Sequence, residues 1–201
     1  RISAHEQLSW PTEHAALQAW RTAVESLGVF VFQLKLPSAE FRGFSLGDAP
    51  ACVVIGTPTS DSATGRAFSL FHEVAHLTLR QSGLCNPFVE GADKRQIEGW
   101  CNSFAGSLLM PPELLRETEQ QLRSLPSDQT AAAELLTRLS KRFKVSRYAL
   151  LTRVLVLGWI PRDQYFDLVE FMGLDTPERS FGRGGVPDEL SAKRCLNRCG
   201  A

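Results

Sequence analysis

The run Arg66-Ala67-Phe68-Ser69-Leu70-Phe71-His72-Glu73-Val74-Ala75-His76 contains the pattern His-Glu-x-x-His. On a helix, residues four apart project from one face, so His72 and His76 could bind a single Zn²⁺ through two neutral imidazoles. Glu73, one step round, would reach a water on that ion and act as general base, taking its proton and later passing it to the leaving amine. That arrangement recurs in zinc-dependent peptidases. The plainer alternatives are an amphipathic helix whose histidines satisfy backbone carbonyls, and a Glu73 that is only a surface carboxylate. The flanking sequence weighs against both.

A catalytic zinc site takes three protein ligands and leaves a fourth position for water. The best third candidate is Glu98, in Asp93-Lys94-Arg95-Gln96-Ile97-Glu98-Gly99-Trp100-Cys101-Asn102-Ser103-Phe104-Ala105. This reads as a second helix that runs to Leu109 and stops before Met110-Pro111-Pro112. Ile97, Cys101, Phe104, Ala105 and Leu108 form its apolar stripe, and Glu98 sits beside that stripe, where a carboxylate could face the first helix.

Phe68-Ser69-Leu70-Phe71-His72-Glu73-Val74-Ala75-His76, followed by Glu98-x-x-Cys101-Asn102-x-Phe104-Ala105 and Leu108-Leu109-Met110-Pro111, closely resembles the ImmA/IrrE family of metallo-endopeptidases, from about Trp20 to Ile160. The resemblance implies Glu98 as third ligand; Asn102 could support that carboxylate by a hydrogen bond or merely cap a local polar cluster, and the family pattern favours support. It also implies a zincin-like fold and, as substrate, a helix-turn-helix transcriptional repressor. Cleavage of that repressor switches on genes for mobile-element transfer, DNA-damage response or phage defence. Cys101 stands where the family usually has Ala; both are small and face apolar surroundings, so the ligand assignment carries over.

The 201 residues, 43% hydrophobic and 22% charged, can bury a substantial core. Lys plus Arg and Asp plus Glu number 22 each, so global charge argues for neither nucleic acid nor membrane. No apolar stretch approaches the roughly 20 residues that span a bilayer, and no secretory signal opens the chain, from which a cytoplasmic protein is expected. Five cysteines, at 52, 85, 101, 195 and 199, lack a disulfide-framework spacing and fit a reducing compartment. The chain begins at Arg1 without a methionine and ends after Cys199-Gly200-Ala201, as a fragment would.

The expected architecture is α+β: residues 1–112 a zincin-like core, 113–178 a helical, helix-turn-helix-like region, and 179–201 a flexible link with a short terminal helix. Thr12 should cap a helix carrying Leu17, Trp20, Val24 and Leu27, ended by Gly28. Val29 to Leu36 alternates, with Phe30, Phe32, Leu34 and Leu36 assigned to the core side. Shorter strands at Phe41 to Leu46 and Ala51 to Ile55 complete a small antiparallel sheet packed on the motif helix, which should run from Gly65 to about Gln81. Leu135, Leu136, Leu139 and Phe143 mark a helix from Glu134. Lys144-Val145-Ser146 then turns the chain, and Ser146 caps a helix ending near Gly158.

Three further readings concern function. Cys85, nine residues beyond His76, could fold back as an inhibitory fourth zinc ligand or be a buried, inert thiol. Arg138, Lys141, Arg142, Lys144, Arg147 and Arg153 form a basic stretch with no acidic residue among them, suited to nucleic acid as an activator, to an acidic partner, or simply to a solvated face. Cys195 and Cys199, four apart, read as a second metal pair or as part of a packing stripe. For the oxyanion, Arg66, Tyr148 and Tyr165 are equal candidates. The leading function is a zinc endopeptidase, its substrate pairing along an edge strand near Ala51 to Ile55. The alternative is a DNA-binding or adaptor protein with a structural zinc, and a hydrolase of non-peptide substrates has no positive support.

Overall fold

Two short helices open the chain because each begins on a hydroxyl that caps it. Ser3 Oγ accepts from the Glu6 N–H at the start of α1 (Ala4–Ser9), and Thr12 Oγ1 accepts from the Ala15 N–H at the start of α2 (Glu13–Glu25). Ala16, Leu17, Trp20 and Val24 form the buried stripe of α2, whereas Leu27 lies outside it and is exposed. Gly28, at φ +85°, then turns the chain into β1 (Val29–Leu34) through a conformation that favours glycine. This computed structural model describes residues 2–34, 43–46, 53–59, 61–79, 83–85 and 92–174.

The strands β2 (Gly43–Leu46), β3 (Val53–Pro58) and β4 (Gly83–Cys85) complete a four-stranded sheet in the order β1-β3-β2-β4. It is mixed, not antiparallel throughout: β1 and β3 are parallel, while β2 runs antiparallel to both β3 and β4. The chain reverses at each of its first two connections, so β1 and β3 point the same way. β3 then inserts between β1 and β2 instead of adding outside β2. The segment expected to be an edge is therefore central, and β1 and β4 are the outer strands.

The alternation in β1 is real, but its faces are the reverse of the expected ones. Val31 is 4% exposed, in a row with Ile55 and Ser45 that are fully buried, while Phe30 and Phe32 are 56% and 49% exposed. Phe32, Gly56 and Phe44 form the adjacent row on the opposite face, where the Phe44 ring lies over Gly56 so closely that a Cβ would collide with it. Val31 and Ile55 face the interior, which leaves the phenyl rings of Phe30 and Phe32 outward.

On the inner face lies α3 (Ala63–Thr78), capped by Ser62, whose Oγ accepts from the Gly65 N–H. It packs against α2, the sheet and α4 (Ala92–Leu109), and hence is buried along most of its circumference. Cys101, Ala105 and Leu109 are the fully buried stripe of α4; Leu108, expected to share it, is 45% exposed, and Phe104 is half-buried against Trp100. An edge-to-face chain of Trp10, Trp20 and Phe71 ties the amino-terminal helices to α3.

The rest is helical: α5 (Pro112–Leu115), a 3₁₀ turn at Arg116–Thr118, α6 (Glu119–Arg123), α7 (Gln129–Phe143), α8 (Arg147–Val156) and α9 (Arg162–Phe171). Asp128 caps α7 five residues earlier than the apolar spacing suggested. Lys144, at φ +60°, ends α7, and Ser146 caps α8 as expected. One buried apolar cluster extends from Ala16 to Leu174, across residue 112. The buried Gln7 joins the parts, its Nε2 donating to the carbonyls of Leu109 and Phe143 at the ends of α4 and α7. No helix among the described residues is long and apolar enough to cross a membrane. Cys195, Cys199 and the glycine-rich stretch from Arg179 to Pro187 lie outside the described residues.

Candidate metal centre

Four-residue spacing on α3 brings the two imidazoles together: their Nε2 atoms are 3.2 Å apart and their ring centroids 4.9 Å. Packing of α4 across α3 adds the carboxylate of Glu98. One of its oxygens lies 3.1 Å from His72 Nε2 and the other 3.5 Å from His76 Nε2. Asn102, one turn further along α4, approaches from the other side of the ring. Its Oδ1 lies 2.9 Å from His72 Nδ1 and can only accept, so Nδ1 carries a hydrogen, and a metal would take the place of the proton that Nε2 holds toward Glu98.

These atoms suit a shared cation. Donors at about 2.0 to 2.1 Å from a tetrahedral zinc stand about 3.3 Å from one another. The three separations of 3.1, 3.2 and 3.5 Å bracket that value. In the protein alone, burial by itself would raise the Glu98 carboxyl; hydrogen bonds with His72 and His76 and their positive charge outweigh it and bring the group down from 4.5 to about 2. The acid remains a carboxylate, the form a metal requires. Glu73 is 1% exposed on the same turn as His72, and the imidazole face of α3 is closed to solvent at His72, 8% exposed.

Cys101 also belongs to this cluster. Its sulfur and one ring nitrogen from each of His72 and His76 lie within 4.8 Å of one another, and Cys101 is wholly buried. The residue read from sequence as a packing change thus stands beside the candidate ligands. Its position three residues after Glu98 was the available signal, since that spacing puts both on one face of α4.

The family comparison follows the same residues. The model of the IrrE N-terminal-like domain, a metallopeptidase family (Peptidase M78), matches residues 24–155, which include both segments that carry the candidate ligands. The chain belongs to this family. No curated protein and no solved structure matches it. Among the described residues, membership accounts for the α+β arrangement in which a small sheet and α4 enclose the His-Glu-x-x-His helix of an IrrE N-terminal-like protein.

Other residues singled out from sequence are dispersed. Cys85 ends β4, where its backbone pairs with Gly43; its side chain lies outside the described structure. Arg66 donates from its Nη1 to Gln33 Oε1 on β1, 3.0 Å away, and precedes His72 by six residues, about 9 Å along the helix axis. Tyr165 is buried between α8 and α9, its hydroxyl 3.3 Å from that of Thr152. Tyr148 is half-buried on α8.

Of the basic stretch, Arg138, Lys141 and Arg147 are exposed; Arg142 is engaged with Glu117 at 2.6 Å. Lys144 donates to the Lys141 carbonyl, and Arg153 is partly buried, which lowers its pKa. The helix α8 buries Ala149, Leu150, Leu151, Val154 and Leu155 on one side, while Arg147 and Val156 are exposed.

Proposed function

We propose that this IrrE N-terminal-like protein is a zinc-dependent endopeptidase that cuts a protein substrate at one or few sites. The observation that carries the reading is the meeting of His72, His76 and Glu98 at separations suited to ligands of one tetrahedral ion. A zinc ion held by these three would polarise a peptide carbonyl and bring the pKa of a coordinated water near neutrality. Asn102 fixes the His72 tautomer, and Glu73, buried next to it, takes a proton from the attacking water and returns it to the departing amine.

An extended substrate needs a sheet edge, and β3 offers none because both its sides are paired. The candidate is β4, which follows α3 directly and among the described residues pairs only with β2. The proposed substrate is a helix-turn-helix repressor, as the ImmA/IrrE resemblance implies, with nucleic acid as a proposed activator at the exposed Arg138, Lys141 and Arg147. A structural zinc in a DNA-binding protein is the second reading, which four filled ligand positions would favour.

The test uses purified zinc-loaded protein, a candidate repressor and the variant Glu73→Gln. Two discrete fragments are expected from the wild type, with the cleavage rate falling about 10² to 10⁴-fold in the variant while its zinc content is unchanged. Equal cleavage by the variant removes Glu73 from the mechanism. Many small fragments would indicate a general protease.

A further inference from the structure

We propose that Cys101 is a fourth protein ligand of the metal, which closes the centre in the resting protein and thereby holds the peptidase latent. This deepens the zinc-peptidase reading and rests on it. Over five residues α4 presents Glu98, Cys101 and Asn102 toward α3, and two of these already contact the imidazoles. The Cys101 sulfur and a nitrogen of each ring lie within 4.8 Å of one another. In a tetrahedral zinc site, with sulfur at about 2.3 Å and nitrogen at about 2.05 Å, sulfur and nitrogen stand about 3.6 Å apart. The 4.8 Å bound on the sulfur–nitrogen separations exceeds that value by about 1.2 Å.

The chemistry favours ligation. A thiolate binds zinc strongly, and Cys101 is wholly buried, so no bulk water competes for the sulfur. Three protein donors leave a position for the attacking water, whereas four make the tetrahedral set of a structural site. Ligation by Cys101 thus occupies the position that water must take before Glu73 can act. It also strengthens metal retention. The role first considered for Cys85 is assigned to a residue already inside the cluster.

The test is the absorption spectrum of the protein loaded with Co²⁺, in the wild type and in Cys101→Ala, Cys101→Ser, Cys85→Ala and the double variant His72→Ala/His76→Ala. The expected result is a near-ultraviolet thiolate-to-cobalt charge-transfer band that both Cys101 variants lose and Cys85→Ala keeps, with the visible ligand-field bands retained in all three. Zinc affinity, by competition with a chromophoric chelator, should fall about tenfold or more in Cys101→Ser. Zinc-edge X-ray absorption of the unmodified protein supplies a check without substitution: a sulfur neighbour at about 2.3 Å is expected. Ligand-field bands without charge transfer in the wild type, or a band abolished only by Cys85→Ala, would overturn the proposal and leave the metal centre standing. Absent ligand-field bands, or bands that persist without both histidines, would overturn the metal reading itself and this proposal with it.

Discussion

Asn102→Ala isolates the hydrogen bond that orients a metal ligand from the ligand itself. The contact it removes is the 2.9 Å bond between Asn102 Oδ1 and His72 Nδ1. Without it the imidazole can rotate and place its hydrogen on Nε2, the atom 3.1 Å from Glu98, where a hydrogen excludes a metal. Loss of such a supporting partner costs about 10- to 100-fold in metal affinity, or about 1.4 to 2.7 kcal/mol. Asn102 is itself exposed, so its truncation opens no core cavity and the fold should be little affected. Asn102→Asp makes the opposite change: a carboxylate accepts the same hydrogen more strongly, raises the basicity of Nε2 and should restore or exceed wild-type affinity. Zinc affinity at neutral pH, measured by chelator competition for all three proteins, checks the order Asp at or above Asn, and Asn above Ala. Equal affinities for Asn102→Ala and wild type would refute the argument that this amide sets the His72 tautomer.

Acid titration of the metal-free protein follows from Glu98. Its folded value of about 2 lies below the ordinary 4.5, so the stabilisation it carries is complete above about pH 4.5 and is lost as pH falls towards 2. Urea midpoints between pH 2 and 5 should decline less steeply in Glu98→Gln than in wild type; parallel curves would mean that the carboxylate does not meet charged imidazoles. Gly56→Ala should destabilise the sheet by about 1 to 3 kcal/mol, because the new Cβ meets the Phe44 ring, and chemical denaturation will measure it. Chelation should abolish cleavage while circular dichroism keeps most of the helical signal, since the apolar cluster from Ala16 to Leu174 does not depend on the ion. Cooperative unfolding on chelation would favour the structural-zinc reading instead.

Helix chemistry was the most legible layer. Thr12 and Ser146, both expected caps, each accept from the N–H three residues on, an interaction confined to one turn, and the spacing of His72 to His76 is equally local. Glu98 was found because its helix has an apolar stripe with a carboxylate beside it. The stripe held at Cys101 and Ala105 but missed at its end, with Leu109 inside and Leu108 outside, because only the crossing of α3 over α4 decides which side is covered. The two faces of β1 were likewise evident as an alternation, but hydrophobicity ranks phenylalanine above valine. The structure turns Val31 to the interior and leaves Phe30 and Phe32 outward.

Residues close in the chain carried their own chemistry: an acid between two histidines, caps at helix starts, a proline stop after Met110. Local geometry follows from backbone periodicity, and so needs no knowledge of what lies opposite. Insertion of β3 between β1 and β2, and the placing of the Cys101 sulfur among the imidazoles, were settled only when elements far apart in sequence packed together. Such contacts depend on shape and on the competition of many apolar surfaces for one interior, which no short stretch of chain contains.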